Sequence, residues 1–368
     1  MNKQVGFAII GCGRVAGHHA QNIVNTSSAK LVAVCDLNEA KAKDYSERFN
    51  APYFTNYHEM LEKLGNDIDI VNVITPSGMH GIHAVDIIEK YKKNVMIEKP
   101  LVMNLSDGDK LVQAAEKNNV RIFPVFQNRF NKAVQKVRET VEKKDIGKIV
   151  MGSVRLYWCR PQTYYNRDVW RGKWSMDGGA LTNQGVHYID LLRYLVGEVD
   201  VLKAYGSTRL VDVEVEDLAV ASLRFKNGAL GTIEVTTAAR HTDLEASVSL
   251  LTEKGMAIVA GVASNELKVW TFDSTDPSEY NEVFPTVYGF GHKVLIEAAV
   301  KSIQTGAAFP VSISDAMKTI ELLHAIYSSI ETGQEVQISK RPASKLLGQF
   351  NQELVDLYTT PHAQLSLR

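Results

Sequence analysis

A short apolar run that ends in two closely spaced glycines constrains the fold of this chain more than any other feature. The run Val5–Ile10 is typical of a buried parallel strand. Gly11 then allows a tight turn, and Gly13 lets the backbone approach a pyrophosphate group. Ala16 supplies the small residue that a helix needs where it packs on the strand. This pattern predicts the first strand, turn and helix of a dinucleotide-binding unit.

The residues after the glycines extend the same pattern. The chain continues into a helical pattern, and the first N–H groups and positive dipole end of that helix favour phosphate. A second apolar run, Leu31–Cys35, ends in Asp36, where an acidic residue binds the adenosine ribose. The Asp36 carboxylate would accept a hydrogen bond from a 2′-hydroxyl and repel a 2′-phosphate, which favours NAD as the cofactor. The alternative is a glycine turn in an ordinary α/β unit.

Strands alternate with helices through the first third of the chain. Apolar runs at 68–74, 94–98 and 121–125 are separated by helical patterns, which predicts an α/β fold with a doubly wound parallel sheet. Ligands of such sheets bind beyond the carboxyl ends of the strands. We expect one crevice to be lined by the loops that follow three strands: Thr75-Pro76, Glu98-Lys99-Pro100 and Gln127-Asn128.

The pattern changes near residue 126. A charged helix is predicted at 131–144, and apolar residues alternate at 149–158 and repeatedly through 201–270, which is typical of a mostly antiparallel sheet. We expect a Rossmann domain at 1–125 and a C-terminal tail at 341–368. Between them, residues 126–340 are expected to form an α+β domain with a large, mostly antiparallel sheet, which binds the substrate and forms the oligomer.

Lys99 is the candidate proton acceptor. It follows a strand and precedes Pro100, so its backbone has little freedom. Next to an oxidised nicotinamide, its ammonium group would face a positive charge and partial desolvation, and both effects lower the pKa of lysine. A lysine that is close to neutral can take a proton from a hydroxyl group. The alternative is a surface lysine at the end of a strand.

Aromatic and basic side chains are dense at 160–174, where weak periodicity predicts a long loop. Aromatic rings stack on bases or sugars, and guanidinium groups bind phosphate or carboxylate. The segment therefore fits a substrate that is partly ring-shaped and partly anionic, or it packs against a neighbouring subunit. Its candidate substrate contacts are Arg160, Tyr165, Arg167 and Trp170.

A helix is predicted after the glycine pair Gly178-Gly179. It carries Asn183, His187 and Asp190 at spacings that place them on one helix face. Histidine titrates near neutrality and can relay a proton. The alternative is a histidine held by packing.

Four motifs in this order resemble the Gfo/Idh/MocA family of oxidoreductases. They are Gly11-Cys12-Gly13, Thr75-Pro76 with His80, Glu98-Lys99-Pro100-Leu101, and Gly185-Val186-His187-Tyr188-Ile189-Asp190. The resemblance covers most of the chain. It implies that Lys99 and His187 lie near the reacting carbon and that His80 lies near the cofactor. With it, the candidate cofactor contacts are Gly11, Gly13, Arg14, Val15, Asp36, Thr75, Pro76, His80, Glu98, Lys99 and Gln127.

Within that family, the stretch from Trp170 to His187 resembles bacterial nucleotide-sugar 3-dehydrogenases of surface-polysaccharide pathways. These oxidise the C3 hydroxyl of a UDP-linked N-acetyl sugar or its uronic acid. The resemblance implies substrate contacts at Lys99, Asn183, His187 and Tyr288. Many sugar-alcohol members have aspartate where this chain has Asn183, which can hydrogen-bond a hydroxyl but cannot accept its proton. Alternatives are an inositol or free-sugar dehydrogenase and an NAD-binding regulatory protein that has lost catalysis.

Composition narrows the partners and the location. The chain has 368 residues and a formal net charge of −1, so we expect neither nucleic acid nor a membrane surface as a partner. No apolar run reaches the ~18–20 residues of a membrane span. Three cysteines fit reduced thiols in a cytoplasm. His80 and His83 share a helix face but lack an evident third ligand, so we expect no metal. We expect the chain to form a homodimer or homotetramer.

Overall fold

The computed structural model describes residues 3–143, 145–284 and 288–359. Through residue 125 the elements are β1 (Val5–Ile10), α1 (Ala16–Val24), β2 (Ala29–Cys35), α2 (Glu39–Phe49), β3 (Tyr53–Phe54), α3 (Tyr57–Leu64), β4 (Ile70–Val73), α4 (His80–Tyr91), β5 (Asn94–Ile97), α5 (Leu105–Asn118) and β6 (Ile122–Pro124).

The elements that follow are α6 (Lys132–Glu142), β7 (Ile149–Tyr157), α7 (Gln162–Tyr165), α8 (Ala180–Asn183), α9 (Val186–Val196), β8 (Val199–Ser207), β9 (Leu218–Phe225), β10 (Leu230–Thr236), β11 (Glu245–Thr252), β12 (Met256–Ala260), β13 (Glu266–Trp270), α10 (Gly291–Thr305), α11 (Ile313–Thr332), β14 (Val336–Gln337) and α12 (Gln352–Thr359).

The first six strands form a parallel sheet in the order β3-β2-β1-β4-β5-β6. This confirms the predicted doubly wound sheet. Every residue of β1 is buried, because helices cover both faces of such a sheet. The chain moves to opposite sides of β1 through β2 and β4. The loops after β1 and β4 therefore meet at the switch point, where sheets of this kind bind their ligands.

Asparagines cap three helices of this sheet. The side chains of Asn38, Asn56 and Asn104 accept backbone N–H groups at the first turns of α2, α3 and α5. Each cap satisfies a donor that has no partner inside the helix, which is worth about 1 kcal/mol relative to alanine. The caps help to fix where these helices begin.

The later strands form an eight-stranded sheet in the order β13-β12-β11-β7-β10-β9-β8-β14. It is mostly antiparallel, as predicted, with one parallel pair between β7 and β10. Buried and exposed residues alternate along β9, so one face packs on the core. Helix α9 packs against β7 and β11. It approaches closely at Gly152, where a Cβ atom would lie 2.4 Å from Val196.

Two segments differ from the predictions. The stretch 160–174 was predicted as a loop but contains the single-turn helix α7. The predicted continuous helix through Asn183 and Asp190 is two helices, because α8 ends at Asn183 and α9 begins at Val186. Gly185 lies in the break, and a Cβ atom there would meet the carbonyl oxygen of Leu181 at 2.9 Å. Lys144, the predicted end of α6, and residues 360–368 of the predicted tail lie outside the described residues.

The chain divides into two compact units. The first comprises Met1–Val125, His292–Met317 and Phe350–Arg368, and the second comprises Phe126–Gly291 and Lys318–Gln349. The first change of unit coincides with the predicted boundary at residue 125. The residues from His292 to Met317, however, group with the first unit although they are distant in sequence. The predicted domain limits themselves stay a prediction.

Candidate active site

The glycine loop has the geometry that a dinucleotide requires. Gly11 has a φ of +91°, and a Cβ atom there would lie 2.5 Å from the carbonyl oxygen of Ile74. Only glycine fits this position. At Gly13, by contrast, a Cβ atom would meet no described atom within 4 Å, so this exposed backbone leaves room for a pyrophosphate. The Tyr45 hydroxyl donates to the Gly13 carbonyl at 2.7 Å and holds the loop.

Asp36 connects the glycine loop to the end of β2. Its Oδ2 accepts the N–H of Cys12 at 2.8 Å, and its Oδ1 accepts the N–H of Asn38 at 2.8 Å. Each carboxylate oxygen has further acceptor capacity, so the same group can bind the ribose hydroxyls of a cofactor. Together with the open backbone at Gly13, this arrangement fits NAD.

His80 connects the loop after β4 to the loop after β5. Its Nδ1 lies 2.8 Å from the carbonyl oxygen of Pro100, and its Nε2 lies 2.9 Å from that of Thr75. Burial lowers the pKa of His80, and the hydrogen bond to Pro100 opposes this effect. The neighbouring His83 contacts the Thr75 hydroxyl at 3.1 Å. Burial lowers the pKa of His83 to about 4, so this ring is neutral at physiological pH.

The carboxylate of Glu98 binds the backbone of the candidate base Lys99. The backbone N–H of Lys99 donates to Oε2 of Glu98 at 3.0 Å. Oε1 of Glu98 lies 2.8 Å from Nε2 of His19 and 3.1 Å from Nε2 of His292. Burial alone would raise the pKa of Glu98, but the hydrogen bonds from both histidines hold it well below its ordinary value. Glu98 is therefore an ionised carboxylate that fixes the backbone of Lys99.

Sequence reasoning missed His19, Asn72 and His292. These side chains come from α1, β4 and the start of α10. The sequence revealed no cluster of metal-ligating residues. In the structure, one nitrogen or oxygen ligand atom from each of His19, Glu98 and His292 lies within 4.8 Å of the other two. The one available signal was polar character in apolar surroundings: Asn72 interrupts a strand that is otherwise apolar and buried.

In the second unit, Gln127 and His187 are brought together. The amide nitrogen of Gln127 lies 3.3 Å from Nε2 of His187. Because the other atom is the amide nitrogen, the ring nitrogen accepts, which corresponds to a neutral histidine with its proton on Nδ1. The ring of Phe126 meets the His187 ring edge-on at 6.5 Å. Sequence reasoning placed Gln127 by the cofactor and His187 by the reacting carbon, and both assignments stay predictions.

Asn183 and Asp190 each bind a buried charged side chain. Asp190 is buried and accepts two hydrogen bonds from Arg129, at 2.7 and 2.6 Å. The hydroxyl of Thr319 donates to the same carboxylate at 2.7 Å. Asp190 thus has a structural ion pair, whereas the amide of Asn183 donates to the carboxylate of the buried Asp177. Asp177 orients Asn183, and the break between α8 and α9 separates its backbone from that of His187.

The predicted substrate arginines differ in their surroundings. Arg160 forms an ion pair with Asp243 at 2.8 Å, and its guanidinium group lies 4.8 Å from the centre of the Trp158 ring. Arg167 is exposed, with its guanidinium group 5.7 Å from the centre of the Tyr164 ring.

The predicted aromatic contacts also differ from one another. Tyr165 is buried, and its hydroxyl lies 3.0 Å from that of Thr237. The Trp170 ring stacks with the guanidinium group of Arg171 at 4.4 Å, and Tyr288 is half-buried. Exposure therefore favours Arg167 and Trp170 over Tyr165 as ligand contacts, and all of these roles stay predictions.

Comparison with known proteins identifies the family. Residues 5–126 match the model of the oxidoreductase family with an NAD-binding Rossmann fold, and residues 138–338 match the model of its C-terminal alpha/beta domain. The chain belongs to the Gfo/Idh/MocA oxidoreductase family. It is an NAD-binding oxidoreductase, as the glycine loop and Asp36 predict. In the described residues, no helix has the length and apolar character needed to cross a bilayer.

Members of the family with solved structures resemble the chain along most of its length. The WlbA dehydrogenase from Bordetella pertussis, solved with NADH and UDP-GlcNAcA, is 35% identical with a TM-score of 0.86. The match covers 92% of this chain and 98% of that one. The WlbA dehydrogenase from Chromobacterium violaceum, solved with the same two ligands, is also 35% identical, with a TM-score of 0.85 and coverage of 92% and 96%.

A third relative is named for a different substrate. The myo-inositol 2-dehydrogenase of Thermotoga maritima is 28% identical over 342 residues, which span 91% of this chain and 98% of that protein. The relatives therefore include dehydrogenases solved with a nucleotide sugar and a dehydrogenase named for a cyclic polyol.

Proposed function

We propose that this protein oxidises the C3 hydroxyl of a UDP-linked N-acetyl amino sugar, or of its uronic acid, to a 3-keto sugar. The observation that carries the proposal is the 35% identity, over 92% of the chain, to an enzyme solved with NADH and UDP-GlcNAcA. The reaction would supply a precursor of a surface polysaccharide. We also propose that the protein acts in the cytoplasm as a homodimer or homotetramer.

The first unit carries the groups for cofactor binding and proton transfer. The glycine loop and Asp36 would hold NAD, which accepts the hydride from the sugar carbon when bound. Lys99 would take the proton of the hydroxyl group as the hydride leaves. The hydrogen bond from its backbone to Glu98 at 3.0 Å restricts where the Lys99 amine can lie, and a general base must lie within hydrogen-bond reach of the proton that it removes.

The second unit would supply recognition of the sugar. We assign an assisting proton-transfer role to His187, whose Nε2 accepts from Gln127 in the arrangement described above. Asn183 would hydrogen-bond a sugar hydroxyl, since Asp177 orients its amide. Exposed Arg167 and stacked Trp170 suit an anionic group and a ring, respectively.

A second candidate is a polyol dehydrogenase, favoured by the 28% identity to the Thermotoga maritima enzyme. Asn183 weakens this candidate because an amide cannot accept a proton. A catalytically inactive NAD-binding protein is the remaining alternative.

The test is turnover of candidate substrates by the purified protein. UDP-N-acetylglucosamine, its uronic acid and myo-inositol would each be incubated with NAD, with and without a 2-oxo acid that could reoxidise bound NADH. NADH absorbance and the mass of the sugar are then measured. Loss of two hydrogens from a UDP-sugar is expected. Turnover of myo-inositol alone would support the polyol candidate, and NAD binding without any turnover would support the regulatory one.

A further inference from the structure

Two buried imidazoles converge on Glu98, the carboxylate that binds the backbone of Lys99. The imidazoles of His19 and His292 point their Nε2 atoms at the same oxygen of Glu98, at 2.8 and 3.1 Å. The other oxygen of Glu98 accepts the N–H of Lys99 at 3.0 Å. The exposed fraction is 1% for His19, 4% for Glu98 and 1% for His292. These hydrogen bonds are therefore shielded from bulk water.

Asn72 fixes the direction of this network. Its amide nitrogen lies 3.0 Å from Nδ1 of His19, so the amide donates and Nδ1 accepts. The neutral His19 ring then has its proton on Nε2, the atom that faces Glu98. A carboxylate that accepts three N–H donors stays ionised even when it is buried. The hydrogen bonds thus run in a consistent direction from Asn72 through His19 to Glu98.

His19, Glu98 and His292 have the ligand atoms of a metal site. The distances between these atoms, however, fit hydrogen bonds better than shared coordination of a metal ion. Nitrogen and oxygen ligands about 2.0–2.1 Å from a tetrahedral zinc ion lie about 3.4 Å apart. The contacts of 2.8 and 3.1 Å between the histidines and Glu98 are shorter and match ordinary N–H···O hydrogen bonds. The cluster is therefore better described as a carboxylate held by two imidazole donors.

We propose that His19 and His292 are positioning residues that, through Glu98, hold the Lys99 segment in its reacting geometry. The proposal rests on the proposed role of Lys99 as proton acceptor. His292 lies 194 residues from Glu98 in the sequence. Through this contact, α10 stabilises the loop that follows β5. A small displacement of a catalytic group reduces turnover without removing the cofactor site.

Two substitutions at His292 separate the N–H donor from the volume of the side chain. His292→Leu introduces an apolar side chain of similar size and so removes the donor. His292→Gln retains an N–H group near the position of Nε2. His324→Leu is the matched control, because His324 is also 1% exposed but belongs to the second unit. For each variant we would measure kcat and KM for the UDP-sugar, NAD affinity by calorimetry, and amide hydrogen exchange of the peptide that contains Lys99.

The expected result is a kcat about 10²-fold lower in His292→Leu, with unchanged NAD affinity and faster exchange at the Lys99 amide. His292→Gln should recover most of the lost kcat, and His324→Leu should leave kcat and the Lys99 exchange as in the wild type. An equal loss of kcat in the Leu and Gln variants would overturn the proposal, because the N–H donor would then be irrelevant. A wild-type kcat in folded His292→Leu would also overturn it.

The pH dependence gives a signature that loss of stability alone does not produce. With one donor removed, burial raises the pKa of Glu98, so kcat of His292→Leu should fall further as the pH is lowered, and the wild type should lack this additional decline. The titratable groups around Glu98 are His18, His19, His80, His292 and Lys99. No additional decline in the variant would argue against the role assigned to Glu98.

Two controls separate this proposal from the proposed function. If Lys99→Met retains turnover, Lys99 is not the proton acceptor, and the proposed mechanism fails first. If Lys99→Met is inactive while His292→Leu is fully active, only the positioning role fails. Elemental analysis of the purified protein adds a further test. If the wild type holds one tightly bound metal ion per chain and His292→Leu loses it, the cluster is a metal site and the hydrogen-bond proposal fails.

Discussion

Glu216 is a buried carboxyl group whose ionisation should destabilise the second unit. Its Oε1 accepts the N–H of Leu181 and the hydroxyl of Tyr327, both at 2.9 Å. In the described residues, its Oε2 is buried and has no hydrogen-bond partner. This oxygen faces Gly179, where a Cβ atom would lie 1.9 Å away. Burial raises the pKa of Glu216 from 4.5 to about 7, although the hydrogen bonds from Leu181 and Tyr327 oppose this shift.

The sign of the pH effect follows from the proton balance. Between pH 4.5 and 7 the folded state holds a proton that the unfolded state has released, so the free energy of unfolding falls as the pH rises. The stabilisation is complete below the unfolded pKa and is lost through the folded pKa. For a shift from 4.5 to about 7, the loss between pH 5 and pH 8 is about 2.5 kcal/mol.

Glu216→Gln removes the titration while retaining the shape of the side chain. The glutamine changes the free energy of unfolding by the same amount at both pH values. This change cancels when the free energy at pH 8 is subtracted from that at pH 5, so the remaining difference from the wild type reports the titration of Glu216. Urea unfolding would be followed by tryptophan fluorescence, because Trp158, Trp170, Trp174 and Trp270 all lie in the second unit. Glu214→Gln, at a half-exposed glutamate two positions earlier, is the control.

The wild type and Glu214→Gln should lose about 2.5 kcal/mol more than Glu216→Gln between pH 5 and pH 8. An identical pH dependence in all three proteins would refute the reasoning, because Glu216 would then have the same pKa in the folded and unfolded states.

Two further predictions concern Arg129, which pairs with a buried carboxylate, and Asp36, which accepts an N–H of the glycine loop. Arg129→Met removes the bidentate partner of the buried Asp190 and leaves it with Thr319 and the more distant Arg193. The variant should lower the free energy of unfolding by about 3–5 kcal/mol in the same fluorescence assay; a loss below about 1 kcal/mol would contradict the assigned ion pair. Asp36→Ser removes the acceptor for the ribose hydroxyls and the repulsion of a 2′-phosphate. It should weaken NAD binding about tenfold and narrow the preference for NAD over NADP, as measured by calorimetry; an unchanged preference would count against Asp36 as the ribose ligand.

The sequence predicted the parts of the fold that depend on local patterns. Continuous apolar runs identified β1, β2 and β4, because a parallel strand covered on both faces contains few polar residues. Alternation identified β7 and β9, because each has one buried face. The glycine loop was predictable because the positive φ of Gly11 and the open backbone at Gly13 are properties that glycine supplies.

Features that depend on distant contacts were not predictable from such patterns. Nothing local marks His292 as a partner of Glu98, since α10 returns to the first unit after the whole large sheet. The periodicity through Asn183 and His187 predicted one helix, and the break at Gly185 was missed because glycine is also tolerated within helices. Nor did the sequence indicate that Asp190, predicted on the same helix face as His187, forms an ion pair with Arg129.

The proposed hydride transfer from C3 of a UDP-linked amino sugar can be followed with an isotopic label. The protein would be incubated with NAD and UDP-N-acetylglucosaminuronate that carries deuterium at C3, and both products would be analysed by mass spectrometry. We expect the deuterium to appear in the reduced nicotinamide, and we expect Lys99→Met to prevent this transfer. Deuterium that stays in an oxidised sugar, with unlabelled NADH formed, would contradict the account because another carbon would then be the hydride donor.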